Sequence, residues 1–303
     1  MAKFIMTGPW HALGFVVLTT LLSIVVPLVG LVFGVMGNAA VGLVTLRLGW
    51  QQGLKIALGA TAIISLLIAS LYSASINTPL VLGGLWLTII IIASLLTHTA
   101  SWRQALFSVF GLVGLGLVLF HGLVPDTTSF WKHLFQPILQ LKSLPQPLSA
   151  EQWNSLLDQA APYLAGVFSV SLALILSLSL MLARQWQAQL YNPGGFSREF
   201  SELRLGKPAA LVLLSLIGLT LLSSTPVLIN VLLLGLLLFS LQGIAMVHGS
   251  IRISHLPKTW LLALYLPFLF VPVHMILLLA AFGLVDSFAD FRHYLAQKNQ
   301  FKP

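Results

Sequence analysis

The sequence predicts an all-α, polytopic transmembrane helical bundle, and three observations predict it. Of 303 residues, 58% are hydrophobic and only 7% are charged, whereas a soluble domain carries roughly 25% charged residues. The mean hydropathy is +0.97. The apolar residues fall into blocks on the scale of the ~20 residues a helix needs to cross a ~30 Å hydrocarbon core, with short basic turns between them. A chain of this composition cannot cover a water-facing surface. It is expected to form one integral membrane domain over residues 1–303, with eight to ten spans and short amphipathic helices in the 124–158 and 184–207 loops.

Lys3 precedes an apolar run from His11 to about residue 46. The run far exceeds the ~7–15 residues of a signal-peptide core, so it reads as retained membrane helix. It is too long for one span and slightly short for two. Pro27 and Gly30 near its middle, followed by Gly34 and Gly37, predict a tight pair of short helices returning at Arg47, with Lys55 just beyond. Gly30 and Gly34 also have the spacing of a close helix contact. Further spans are expected over about 54–73, ending in a polar turn, over about 79–97, and over about 104–123 after the basic His98–Arg103 turn. Together, 11–123 make the N-terminal spans.

Residues 124–158 carry more acid than base and read as external. Phe130, Trp131, Leu134, Phe135, Ile138 and Leu139 recur at helical spacing, predicting an interfacial helix over 129–142. Pro145 and Pro147 break it. Ser149 with Gln152 then forms a capping-box pattern for a second short helix carrying Trp153, Leu156 and Leu157. This segment suits a membrane-hugging loop or a lid over an external cavity.

A span over 159–183 leads into the polar elbow 184–207, where Arg184, Arg198, Arg204 and Lys207 outnumber Glu199 and Glu202. Short basic loops stay on the side of synthesis, which places the elbow and the N-terminus in the cytoplasm. The run Tyr191-Asn192-Pro193-Gly194-Gly195-Phe196 is a strong stop signal. Ser197 is positioned to cap a short helix with Phe200, Leu203 and Leu205 on one face, ended by Gly206 and Pro208. The elbow can simply join two bundles, or it can dock a partner through Tyr191, Asn192, Gly194, Gly195, Phe196, Arg198 and Arg204.

The C-terminal spans occupy 208–285. One covers about 208–222, and another starts at the Ser-Ser-Thr-Pro turn and runs to about 247. His248, Arg252, His255 and Lys258 follow. The last block, 259–285, is expected to break at Pro267 or Pro272 and return the 286–303 tail to the cytoplasm.

All seven acids fall in loops, near helix ends or in the tail. Proton pumps and cation antiporters usually place a carboxylate inside the membrane. The sequence has no His-Glu-x-x-His, Gly-x-Ser-x-Gly or P-loop pattern, and with no cysteine it has no thiolate chemistry. No enzyme, metal site or cofactor is expected. The formal charge of +8 is spread over loops without a basic stripe and interleaved aromatics, so no nucleic-acid partner is expected.

Chemistry within the apolar blocks rests on uncharged groups. Asn38, Asn230, Gln242, His248 and His274 are the ligand-binding candidates, with His121 a further polar group. Such groups must find partners in hydrocarbon. They can bond between helices, at about 0.6 kcal/mol each, or line a cavity. Gln242-Gly243 is the leading pair, because glycine allows a helix or a ligand to approach the amide. Asp286, Asp290 and Arg292, with Phe288 and Phe291, read as an interfacial anchor carrying surface charges.

The stretches ARQWQAQLYNPGGFSREFSELRLGKP, LQGIAMVH at 241–248 and the GLVDSFADFR ending resemble the YybS-like family of bacterial inner-membrane proteins, a family without an assigned activity. The resemblance covers most of the chain. That family is distantly similar to the substrate-binding S components of energy-coupling-factor transporters, which capture vitamins or metal ions in a helical bundle. The resemblance implies a multi-pass protein of the bacterial inner membrane that handles an unknown small molecule, with a cytoplasmic or membrane partner subunit. The alternative is a membrane scaffold or assembly factor without transport. A water-accessible cavity lined by Asn38, Asn230, Gln242 or His274 would favour the first; a dry bundle with those groups paired would favour the second.

Overall fold

The computed structural model describes residues 1–26, 29–71, 77–139, 149–257, 259–289, 291–292, 295 and 297. Every regular element among them is helical, and no strand occurs. Seven of these helices are long and apolar enough to cross a membrane, and three shorter apolar helices accompany them. The chain is a multi-pass membrane protein built as an all-α helical bundle. Two compact units are distinguishable, one formed by residues 1–109 and 174–203, the other by 110–173 and 204–303.

The first unit begins with α1 (Ala2–Ile5) and the hairpin α2 (Pro9–Val25) and α3 (Gly30–Leu48). This is the expected pair of short helices; Pro27 itself lies outside the described residues. Helices α4 (Trp50–Leu71) and α5 (Asn77–Thr99) follow, then the first turns of α6 (Trp102–Leu123). The centre is α3, which contacts α2, α4 and α5 and is buried without interruption from Gly37 to Leu46. Its small residues explain this position. Ala39 and Ala40 are fully enclosed, and a methyl group added at Gly42 would sit 3.0 Å from the Ala183 side chain. Small side chains let backbones approach where the surrounding lipid gives no hydrophobic drive to associate. Gly30 abuts the Ser23 backbone and Gly34 the Ser23 side chain, so the expected glycine contact lies within this hairpin.

The second unit holds the rest of α6, α7 (Thr127–Leu139), α10 (Lys207–Leu222), α11 (Pro226–Ile253), α12 (Trp260–Tyr265) with the 3₁₀ turn Leu266–Leu269, and α13 (Pro272–Ala289). Helix α7 is the predicted amphipathic helix; Pro145 and Pro147 lie outside the described residues. Trp131 packs between rings, stacked on Phe168 at 4.9 Å and 9° and facing Phe120 and Phe135. The axis of this unit is the α11–α13 crossing. A Cβ at Gly243 would strike the Leu279 carbonyl, and one at Gly283 would strike the Phe239 carbonyl. Two i, i+4 pairs therefore interlock at backbone distance.

Two expectations are corrected by α8 (Ala150–Tyr191), one continuous 42-residue helix. The capping box forms as predicted, with the Ser149 amide donating to Gln152 Oε1 at 2.8 Å and the Gln152 amide donating to Ser149 Oγ at 3.2 Å. The helix it starts does not stop, however, because Pro162 sits twelve residues in and the apolar run beyond it continues the same helix. At the other end Arg184 to Tyr191 remain helical, so the elbow begins at Asn192. The short elbow helix α9 (Gly195–Ser201) is capped by Gly194, not Ser197. Gly194 adopts φ 81°, a conformation that only glycine takes without strain.

The last apolar block is broken, as expected. Proline has no N–H to donate and its ring displaces the preceding turn. Pro267 falls in the 3₁₀ turn, and Pro272 opens α13 after the non-helical Phe270 and Val271.

Candidate functional site

The broken C-terminal block creates a groove in the second unit. Helix α12 is bound back toward α11 by His248 Nε2 and the Tyr265 hydroxyl, 2.8 Å apart. Leu264, Met275 and Leu279 form a small core, with Ile244, Val247, Leu261 and Phe268 packed on it. Beside that core runs a groove of about 440 Å³, within the ~300–1,000 Å³ of ligand pockets. Its wall is almost entirely carbon: Met246, Val247, Ile251, Trp260, Met275, Phe282 and Leu295 take part, with Ser250 and Ser254 as its hydroxyls. The neighbouring Arg252 and His255 are exposed. Sequence reasoning missed this groove. The signal available was the proline break, which separates α12 from α13 and leaves their apolar faces splayed.

Adjoining the groove, through Leu279 and Phe282 of α13, is a buried polar network. Gln242 Nε2 lies 2.9 Å from the Gly283 carbonyl, 3.0 Å from Asp286 Oδ2 and 3.1 Å from Ser287 Oγ. Gln242 Oε1 accepts the Leu205 amide at 3.0 Å. Arg292 donates to Asp286 Oδ2 at 2.6 Å. Asp286 is therefore not the surface charge of an interfacial anchor. Its side chain is fully enclosed and that of Arg292 is only 4% exposed, because the helix packs its last turns against α11. Asp290 lies outside the described residues. The glycine at Gly243 serves the approach of α13, and the amide of Gln242 is fully occupied by protein groups.

The remaining ligand-binding candidates lie apart. In the first unit Asn38 Oδ1 accepts the Trp86 indole N–H at 3.0 Å. In the second, Asn230 Nδ2 lies 2.9 Å from the Pro162 carbonyl and 3.3 Å from His121 Nε2, while His121 Nδ1 meets the Leu117 carbonyl at 3.0 Å. With the ring proton on Nδ1, Nε2 accepts from Asn230, while the buried Asn230 Oδ1 has no hydrogen-bond partner among the described residues. His274 is exposed near the start of α13. The five candidates thus do not converge on one cavity. Among the described residues no group of three or more metal-ligating side chains occurs.

The partner-docking candidates form a compact surface on the first unit. Tyr191, Asn192, Gly194 and Arg198 are exposed, Phe196 is half-buried and Gly195 is buried. Arg47 lies 4.2 Å over the Tyr191 ring, a cation–π contact. Arg184 grips both Glu199 oxygens and also meets Gln187, whose amide donates to the Leu46 carbonyl at 3.2 Å. The Trp102 indole donates to Glu199 at 3.2 Å. Burial acts to raise the Glu199 carboxyl, but the Arg184 and Trp102 bonds and the arginine charge outweigh it and hold the group below its ordinary value. Arg204 falls outside this surface; it is half-buried in the second unit.

Comparison with protein-family models, with curated proteins and with solved structures finds no match to this chain.

Proposed function

We propose that this protein binds an anionic amphiphile, with an acyl chain in the α11–α12–α13 groove and the headgroup beside Arg252 and His255. The observation that carries this reading is the groove itself. Its volume suits a ligand and its wall suits hydrocarbon, while Arg252 and His255, next in sequence to the lining residues Ile251 and Ser254, would supply the basic groups for an anionic head. The reading keeps the small-molecule, transport-related role expected of a YybS-like or S-component-like inner-membrane protein with its N-terminus in the cytoplasm. It changes the chemistry of the ligand, since Gln242 is occupied by protein groups on both amide atoms and the candidate amides do not share a cavity. The exposed Tyr191–Arg198 surface would serve a partner subunit. A binding role without catalysis accords with these features.

The pairing of Asn38, Asn230 and Gln242 favours the alternative, a scaffold or assembly factor. One experiment separates the two. The protein is extracted gently and its intact native mass recorded, beside an Ala263→Trp variant that fills the groove from an exposed position. A stoichiometric anionic lipid retained by the parent protein and lost from the variant supports binding. Lipid retained equally by both, without headgroup preference, supports the scaffold.

A further inference from the structure

We infer that Asp286 and Arg292 are positioning residues for the groove: their buried ion pair holds Arg292 in the bundle and thereby keeps Leu295, three residues on, in the groove wall. This rests on the groove being the ligand site. Arg292 and Leu295 are three residues apart in the chain, so holding one limits where the other can lie. Arg292 points inward to Asp286 Oδ2, and Leu295 lines the groove with Phe282 and Met275. Arg292 is therefore anchored in the bundle while Leu295 meets the ligand space. Asp286 is itself held by Gln242, and Gln242 is held by the Leu205 amide. The anchor joins the end of the elbow, α11 and α13 in one chain of hydrogen bonds. Replacing a buried ion pair by packed apolar residues often costs no stability, so stability alone gives no reason for the pair. A fixed position for Leu295 does.

The test is a titration with dipalmitoyl phosphatidylglycerol, read by native mass spectrometry. Leu295→Ala is expected to weaken binding about tenfold through lost apolar contact. The double variant Asp286→Asn with Arg292→Gln removes both charges together, and is expected to weaken binding by a similar factor. Combining all three changes should weaken it no further, because the pair acts through Leu295; interacting residues give such non-additive cycles. Full additivity, or unchanged binding in the double variant, overturns the inference. The Ala263→Trp variant keeps the two questions separate. If it also binds as the parent does, the groove reading itself fails; if it alone loses the lipid, only the positioning role fails. A second measurement covers a double variant that does not fold. The chain has no cysteine, so Leu295→Cys offers a single thiol. Its alkylation should speed up about tenfold when Arg292→Lys is added, since lysine loses the forked geometry of arginine; an unchanged rate counts against the anchor.

Discussion

In each unit of the molecule an arginine–carboxylate pair ties a helix to its neighbours, and the two pairs differ in burial. In the first unit Arg184 of α8 and Glu199 of α9 are 27% and 31% exposed. In the second Asp286 and Arg292 are 0% and 4% exposed. The chemistry is the same, but the energetics are not. An exposed pair is screened and contributes about 0–1 kcal/mol. A buried pair gains little over an apolar substitute, yet loses heavily when one partner is removed, because the other charge is stranded. The first pair is a surface clasp that can open. The second is an anchor that can be exchanged only as a whole.

Breaking one partner in each unit is the strongest test of that difference. Asp286→Ala is expected to cost about 3–5 kcal/mol, and Glu199→Ala at most about 1 kcal/mol, read from unfolding in matched detergent. Equal losses would show that burial does not separate the pairs. The next largest effect concerns the packing around the anchor. Gly243→Ala or Gly283→Ala forces a methyl group onto a carbonyl oxygen of the facing helix and is expected to cost about 1–3 kcal/mol. Gly111→Ala, which meets no neighbour, should be neutral or slightly stabilising. A thermal melt of the three variants checks both statements.

Acid provides a subtler probe of the clasp. The Glu199 carboxyl is held below its ordinary value of 4.5. Its contribution is therefore present above the unfolded-state value and is lost as pH falls through the lower folded value. Loss of the clasp below about pH 4.5 should appear in the parent protein and vanish in Glu199→Gln, as followed by Trp102 fluorescence in a Trp102-only background. The smallest expected effect is at the start of α8. Ser149→Ala removes half of the capping box and should cost about 0.5–1 kcal/mol, visible as fraying of the first turn in amide exchange.

Much of this arrangement was legible in the sequence. The apolar blocks located the helices, the N-terminal glycines located the hairpin, and Ser149 with Gln152 located a helix start. The prolines at 267 and 272 located the final break. What the sequence concealed follows from its local nature. Pro162 lacks the amide hydrogen that a helix interior uses, yet the helix continues through it, and Asn230 donates to the Pro162 carbonyl from α11. Asp286 and Arg292 are six apart, outside the i, i+3 and i, i+4 spacings by which helical neighbours are recognised, so their pairing could not be read from a helical wheel. Gln242 was legible as special, and its partners were not, since they come from Leu205 and α13.

Helix α8 runs for 42 residues without interruption, about 63 Å at 1.5 Å per residue, roughly twice the ~30 Å hydrocarbon core. Its continuity sets a rule for insertions and deletions. Adding one residue near Ser179 would rotate the rest of the helix by about 100°. Gln187 and Tyr191 would turn away from Leu46 and Arg47 together, although none had been altered. Such a helix tolerates changes of letter far better than changes of length.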